Sequence, residues 1–85
     1  MHVELSEHAQ HFLNKLDNQI KDRLENRLRK LGIDPIPSDA KFIERDNLGD
    51  KIFRYRIGDY RALYKVKTNQ NVLIIKIDKR PRIYD

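Results

Sequence analysis

The run Ile52–Val66 constrains the fold more than any other part of the sequence, because it has the pattern of a β-hairpin. Aromatic and β-branched residues alternate with charged ones on both sides of Gly58-Asp59. A glycine-containing dipeptide between two such runs is typical of a two-residue hairpin turn. A loop of that length sets the register of the two strands, so Arg56 should lie directly opposite Arg61.

The predicted hairpin has one apolar face and one basic face. The residues of the apolar face are Phe53, Tyr55, Ile57, Tyr60, Ala62, Tyr64 and Val66. The residues of the other face are Ile52, Arg54, Arg56, Arg61, Leu63 and Lys65. Like charges directly opposite each other destabilise a strand pair, so the facing arginines need a reason. The face is either a solvated exterior or an anion site that presents planar guanidinium groups to phosphate.

The N-terminal part of the chain has the pattern of two short helices. Apolar residues recur at intervals of three and four, which is typical of an amphipathic helix. Ser6 and Asp17-Asn18 are candidate N-caps, so we expect a helical hairpin over about 6–16 and 18–31. One bent helix is the alternative. With 85 residues, the chain is expected to form a single domain over residues 1–85.

The C-terminal part has the shorter period of β-strands. Strands are expected at 2–5, 41–44, 51–57, 60–67 and 72–78. If residues 68–71 form a four-residue loop, Leu73, Ile75 and Ile77 join the apolar face. Val72, Ile74, Lys76 and Asp78 then join the basic face, with Asp78 opposite Arg61. The predicted fold class is α+β, with an N-terminal helical hairpin packed on one face of a small antiparallel sheet.

Charge is unevenly distributed along the chain. Residues 1–40 hold six Lys/Arg and seven Asp/Glu, whereas residues 41–85 hold twelve and six. A basic sheet half favours a polyanionic partner, most simply nucleic acid. The absence of cysteine excludes disulfides and thiolate metal sites. No apolar run resembles a signal peptide or approaches the roughly 20 residues of a membrane span, so a cytoplasmic protein without a membrane partner is expected.

The segment Tyr55–Val66 resembles the hairpin core of the RelE/ParE toxin superfamily, and the order of the predicted elements agrees with it. The basic tail Lys79–Tyr84 makes the RelE branch the better match. The resemblance implies a RelE-like fold and an mRNA interferase of a type II toxin–antitoxin system. Such a toxin is a ribosome-dependent, metal-independent endoribonuclease that cleaves mRNA in the A site, without a cofactor. Its expected partner is a RelB-like antitoxin, extended and acidic, in a hetero-oligomeric complex.

The resemblance also implies a set of catalytic residues, which are Arg56, Arg61, Arg80 and Tyr84. In this hypothesis Arg61 and Arg56 stabilise the charge on the scissile phosphate. Tyr84 is the general base towards the 2′-hydroxyl, and Arg80 neutralises the leaving oxygen. The expected RNA-binding residues are Arg54, Arg56, Lys65, Lys79 and Arg82. Familiar bacterial members carry lysines at the positions of Arg54 and Arg56, and the tail here is shorter.

The histidines do not support a different mechanism. His2, His8 and His11 all lie in the N-terminal part, away from the expected basic face, so a paired-histidine ribonuclease is not predicted. His8 and His11 are three residues apart on a helix but lack supporting ligands, and no metal site is predicted. The rival hypotheses are a ParE-like toxin that targets DNA gyrase, a non-catalytic RNA-binding module and an inactive toxin remnant.

Overall fold

The computed structural model describes residues 2–79, and within them the elements follow the predicted order closely. They are β1 (Val3–Leu5), α1 (Glu7–Asn14), α2 (Asn18–Arg29), a short 3₁₀ helix (Lys30–Gly32), β2 (Lys41–Arg45), β3 (Lys51–Ile57), β4 (Tyr60–Val66) and β5 (Val72–Lys79). In these residues the strands form one five-stranded sheet in the order β1-β5-β4-β3-β2.

Both predicted N-caps begin a helix, so the helical hairpin is confirmed and the single bent helix is wrong. The Ser6 hydroxyl accepts a hydrogen bond from the Ala9 amide at 3.0 Å, and the Asp17 carboxylate accepts one from the Ile20 amide at 3.1 Å. A side-chain acceptor at this position satisfies an amide that has no partner within the helix.

The α+β fold class is confirmed, with one addition that the sequence pattern did not specify. Strands β2 to β5 form the expected antiparallel meander, whereas β1 pairs with β5 in parallel and makes the sheet mixed. The pairing sets Val3 against Val72 and Leu5 against Ile74. It brings the beginning of the described chain beside its last strand.

The helical hairpin covers one face of the sheet and forms the hydrophobic core with it. The buried apolar residues are Ala9, Leu13, Leu24, Leu28, Leu31, Phe53, Tyr55, Ile57, Tyr60, Ala62, Tyr64, Val72, Ile74 and Ile77. The three tyrosines of the hairpin are therefore packing residues, as predicted. Tyr64 is fully buried, and its hydroxyl donates a hydrogen bond to the Pro35 carbonyl oxygen at 2.7 Å. Burial also raises the pKa of Tyr64 well above its ordinary value.

The β3–β4 hairpin has the predicted register. Ile57 pairs with Tyr60 across the Gly58-Asp59 turn, and Arg56 pairs with Arg61. Gly58 has a φ of +59°, a conformation that is costly for residues with a Cβ atom. The two-residue loop thus fixes which side chains share a face.

The predicted facing of β5 is correct near its end and wrong near its start. The β4–β5 register shifts between Leu63 and Tyr64, which leaves Ile75 as the extra residue of a β-bulge. Beyond the bulge Ile77 is buried and Asp78 pairs with Arg61, as expected. On the N-terminal side of the bulge, the loop spans residues 67–71, and the β5 side chains lie on the faces opposite to those predicted.

Val72 and Ile74 therefore enter the core, and Leu73 and Ile75 do not, contrary to the prediction. A hydrogen bond from the Ser6 hydroxyl to the Ile75 carbonyl oxygen, at 2.6 Å, stabilises the bulge. Periodicity alone cannot reveal such a bulge, because one extra residue inverts the facing of every residue on one side of it.

Residues 2–79 contain neither a membrane-spanning helix nor a metal-binding cluster of side chains. None of the described helices has the length and apolar character that crossing a bilayer requires. Within the same residues, His, Asp and Glu side chains do not assemble into a group of three or more suited to a metal ion.

Candidate functional site

The sheet face opposite the helices carries the predicted arginines together. Arg54, Arg56 and Arg61, here called the arginine face, alternate on β3 and β4 with side chains that point into the core. Arg56 is exposed, Arg54 is half-buried, and Arg61 is only 8% exposed. The strands therefore hold guanidinium groups at different depths on one surface.

The arginine face is most strongly cationic near the hairpin turn. Arg56 and Arg61 are Cα partners, and opposed side chains in an antiparallel pair begin only about 4.5–5.5 Å apart at Cβ. The Arg56 Nε donates to the Gly58 carbonyl oxygen at 3.4 Å, a long hydrogen bond. On the neighbouring strand, Lys41 is the Cα partner of Arg54 and adds a second pair of facing cations.

Strand β5 contributes one acidic and one basic residue to the sheet face that carries the arginines. Asp78 is the Cα partner of Arg61, and Lys76 is the partner of Leu63. The Asp78 carboxylate accepts a hydrogen bond from the Lys79 amide at 2.8 Å, which orients it at the end of the strand. Towards the hairpin turn, basic residues outnumber acidic residues on this face of the described sheet. The basic residues are Lys41, Arg54, Arg56, Arg61 and Lys76.

Lys65 lies on the same face but its charge is already neutralised. Its ammonium lies 3.0 Å from the Asp46 carboxylate and 3.7 Å from that of Asp50. The hydrogen bond between Lys65 and Asp46 lowers the pKa of Asp46 and raises that of Lys65. Lys65 therefore ties the β2–β3 loop to β4, and its RNA-binding role stays a prediction.

The remaining predicted site residues are not gathered on the arginine face of the described structure. Lys79 is exposed and is the Cα partner of Tyr60, which places it on the helix side of the sheet. Arg80, Arg82 and Tyr84 lie outside the described residues. Their catalytic and RNA-binding roles therefore stay predictions.

A contact from α2, which the sequence did not predict, supports β3 on the helix side of the sheet. The Arg27 guanidinium donates a hydrogen bond to the Tyr55 hydroxyl at 3.0 Å and lies 5.5 Å from the centre of its ring. Asp39 is 3.9 Å from the same guanidinium. The hydrogen bond to Tyr55 is the main reason why the pKa of Arg27 is raised. Tyr55 lies between Arg54 and Arg56 in sequence, so α2 fixes the strand segment that carries both.

The described part of this surface is equipped to bind an anion and stabilise its charge. His8 and His11 lie on α1, which packs on the other side of the sheet, so neither reaches the arginine face. The described hairpin tyrosines also point to the helix side. Neither these two histidines nor the hairpin tyrosines therefore supply proton transfer at the arginine face.

The fold and the basic face define the class of protein: a RelE-like α+β protein. The RelE–RelB complex from Pyrococcus horikoshii OT3 superposes with a TM-score of 0.81 at 25% identity, covering 95% of this chain and 96% of that chain. The toxin–antitoxin complex RelBE2 from Mycobacterium tuberculosis gives a TM-score of 0.75 at 27% identity, with 93% and 96% covered. The isolated E. coli RelE toxin, at 19% identity and a TM-score of 0.73, shares the fold over 98% of this chain and 87% of its own.

The sequence itself assigns the family. Residues 3–84 match the family described as "ParE toxin of type II toxin-antitoxin system, parDE". The chain belongs to this family, within the RelE/ParE superfamily of type II toxins. A search of curated protein sequences finds no match.

Proposed function

We propose that the chain is a ribosome-dependent endoribonuclease that cleaves mRNA in the ribosomal A site and thereby inhibits translation in the cytoplasm. The facing of Arg56 and Arg61 on the arginine face is the observation that carries the proposal. Neighbouring strands carry the two planar donor groups at directly opposed positions, and planar guanidinium groups suit a phosphate. Arg54 and Lys41 form the adjacent cationic pair and suit the flanking backbone.

The reaction is a transesterification that needs no metal. The 2′-oxygen attacks phosphorus and the bond to the 5′-oxygen breaks, which gives a 2′,3′-cyclic phosphate and a 5′-hydroxyl. Arg61 and Arg56 stabilise the charge on the phosphorane. Tyr84, as the tyrosinate, takes the 2′-hydroxyl proton. Arg80 stabilises the leaving 5′-oxygen by charge, because a guanidinium stays protonated and is a poor proton donor, and a water molecule supplies the proton of the 5′-hydroxyl. Arg54, Lys79 and Arg82 bind flanking phosphates.

Dependence on the ribosome follows from the shortage of acid–base groups on the described face. Catalysis by charge stabilisation requires that the 2′-oxygen, phosphorus and leaving oxygen are already aligned. A ribosome that holds the message in the A site supplies this alignment, whereas free RNA samples it rarely.

The proposed partner that restrains the toxin is a RelB-like antitoxin in a hetero-oligomeric complex. The similar proteins from P. horikoshii and M. tuberculosis were both solved as complexes of a toxin with its antitoxin. The basic residues 41–85 favour an acidic antitoxin segment on electrostatic grounds.

A gyrase-targeting toxin is the second candidate function. The family that the chain matches is named for ParE, and ParE-type toxins act on DNA gyrase instead of mRNA. This candidate predicts inhibition of DNA supercoiling and an intact message, so one pair of assays separates the two functions.

The decisive experiment adds the purified chain to programmed ribosomes and maps 5′ ends of the message, with a supercoiling assay in parallel. Cleavage in the A site with unimpaired gyrase is expected. Arg56→Ala and Arg61→Ala should each slow cleavage by about a hundredfold or more, because each removes a donor to the developing charge. Circular dichroism checks that each variant is folded, which matters most for the buried Arg61.

The matched control is Lys51→Ala, an exposed lysine whose Cα partners Arg45 and Val66 place it on the helix side of the sheet. It removes one positive charge but should cleave at nearly the rate of the unmodified chain. An intact message together with blocked supercoiling would overturn the nuclease proposal.

A further inference from the structure

Helix α2 reaches the hairpin turn through a second arginine. Arg27 and Arg23 are four residues apart and therefore lie on the same side of the helix. Arg27 contacts Tyr55 in the middle of β3. A guanidinium nitrogen of Arg23 lies 3.9 Å from the position that a Cβ atom on Gly58 would occupy. The first half of α2 thus ends beside the turn that joins β3 to β4.

Basic groups consequently approach this turn from both faces of the sheet. Arg56 contacts Gly58 from the arginine face through its hydrogen bond to the carbonyl oxygen. Arg23 approaches the same glycine from the helix side, and Lys79 ends the neighbouring β5 on that side. We call Arg23, Arg56 and Lys79 the turn rim. The cationic surface therefore does not stop at the edge of the sheet.

The Arg23 side chain is available to a ligand, unlike its neighbours on the helix. Among residues 2–79 it is exposed and takes part in no hydrogen bond or ion pair. Arg27 is held by Tyr55 and Asp39, and the Arg29 guanidinium donates to the Asn26 side chain at 3.0 Å. An exposed arginine without an intramolecular partner keeps all its donors for an external acceptor.

At the end of the sheet away from the hairpin turn, lysine side chains are paired with acidic residues. There Lys65 is neutralised by Asp46 and Asp50, and Lys67 lies 3.6 Å from the Glu4 carboxylate. Near the turn, within residues 2–79, the sheet and its turn carry the acids Asp59 and Asp78, whereas the cations are Arg61 and the three residues of the turn rim. A long polyanion therefore gains more by passing over the turn end than by running along the strands towards Lys65.

We infer that the RNA-binding surface bends around the hairpin turn onto α2, where Arg23 binds a backbone phosphate beyond those held by the arginine face. The inference rests on the proposed function for the identity of the ligand as RNA. Arg23 acts as a binding residue remote from the reacting atoms, because it lies on the other side of the sheet. Contacts to phosphate position the nucleic acid without reading its sequence.

The test measures how binding depends on salt. For single-stranded nucleic acid, each phosphate contact contributes about 0.7 to the slope of log K against log salt concentration. Arg23→Ala should reduce the slope by roughly this amount and weaken binding about three- to tenfold at low salt. Arg23→Lys should retain the slope, because it keeps the charge. Alanine and arginine have similar helix propensities, so the fold should be unaffected.

The matched control is Arg29→Ala, which removes an equal charge from an exposed site on the same helix. It should leave the slope within error of the unmodified chain. If Arg23→Ala and Arg29→Ala change the slope equally, the effect is one of net charge and the inference is wrong. An Arg23→Ala slope equal to that of the unmodified chain would also overturn it.

Two forms of the experiment distinguish the source of the phosphate. A short oligoribonucleotide used alone reports contacts to the message, and ribosomes with an empty A site report contacts to ribosomal RNA. An Arg23-dependent slope in either form supports the inference and assigns the source. In cleavage assays Arg23→Ala should raise KM and leave kcat unchanged.

The outcome also separates this inference from the proposed function. If the chain does not cleave mRNA on ribosomes but retains an Arg23-dependent slope, the nuclease proposal fails and the binding surface stands. If cleavage occurs and its KM is insensitive to Arg23→Ala, the nuclease stands and the surface does not extend onto α2.

Discussion

Lys65 shows how the partners of a residue can differ from what its position on a strand indicates. The strand pattern places it correctly on the same face as the arginines. Asp46 and Asp50, which neutralise it, come from a loop and its edge, where no periodicity predicts the direction of a side chain. The partners of Arg27 could not be predicted either, since they come from β3 and from the segment before β2. The facing of Lys65 follows from the local hairpin, whereas its ion pairs depend on the tertiary fold.

The Lys65 ion pairs should make stability depend on pH. The folded state lowers the pKa of Asp46, so the pair stabilises the fold above the ordinary aspartate pKa of about 4 and ceases to do so as pH falls through the lowered value. Lys65 has a raised pKa, so its contribution is complete below about 10.4 and is lost as pH rises through the raised value. Lys65→Met should therefore lower the melting temperature at pH 7.

The measurement is thermal unfolding of the unmodified chain and Lys65→Met between pH 2 and pH 8. Because Asp46 becomes protonated as pH falls through its lowered pKa, the difference in melting temperature should shrink below about pH 4. Asp46→Asn gives the matched variant from the other side of the ion pair. A difference that stays constant down to pH 2 would show that the ammonium stabilises the fold by packing alone.

At the scale of elements, the structure shows which strand registers a sequence can predict. The β3–β4 register is local, because two turn residues determine every pair beyond them. The register of β5 is not, because the Ile75 bulge is stabilised by Ser6 at the other end of the described chain. The parallel pairing of β1 with β5 could not be predicted either, because the two strands are far apart in sequence. A register set by a two-residue turn can thus be predicted, whereas a bulge or a strand pair that depends on distant residues cannot.

Ser6 joins α1 to the bulge, and its removal should affect both. Its hydroxyl accepts from the Ala9 amide and donates to the Ile75 carbonyl oxygen. Ser6→Ala should lower the free energy of unfolding by about 1–2 kcal/mol, because the cap and a part-buried hydrogen bond are lost together. Urea unfolding measures the change. Ser6→Thr keeps the hydroxyl and should recover most of it, and equal losses in both variants would contradict this account.

At the scale of the whole molecule, the sheet is asymmetric across its width as well as along its length. Strand β5 lies between β1 and β4 and is covered by α1, whereas β2 is an edge strand with all five residues exposed. The charge imbalance of residues 41–85 indicated a basic sheet half. It could not indicate that the excess positive charge lies near the hairpin turn, because this depends on where the fold places the acidic side chains.

Amide hydrogen exchange should reproduce the asymmetry across the sheet. The amides of β5 are expected to exchange slowest, because their opening disrupts two neighbouring strands and the core. The amides of β2 should exchange faster by at least about tenfold, since an edge strand opens without exposing the core. Mass spectrometry of the exchanging chain measures both. Equal protection of β2 and β5 would contradict the expectation.

The parallel pairing of β1 with β5 has a consequence for biosynthesis. The strand that completes the core, with Val72, Ile74 and Ile77, is translated after every element that packs against it. A nascent polypeptide therefore cannot adopt the native sheet while that strand is still inside the ribosome that is making it.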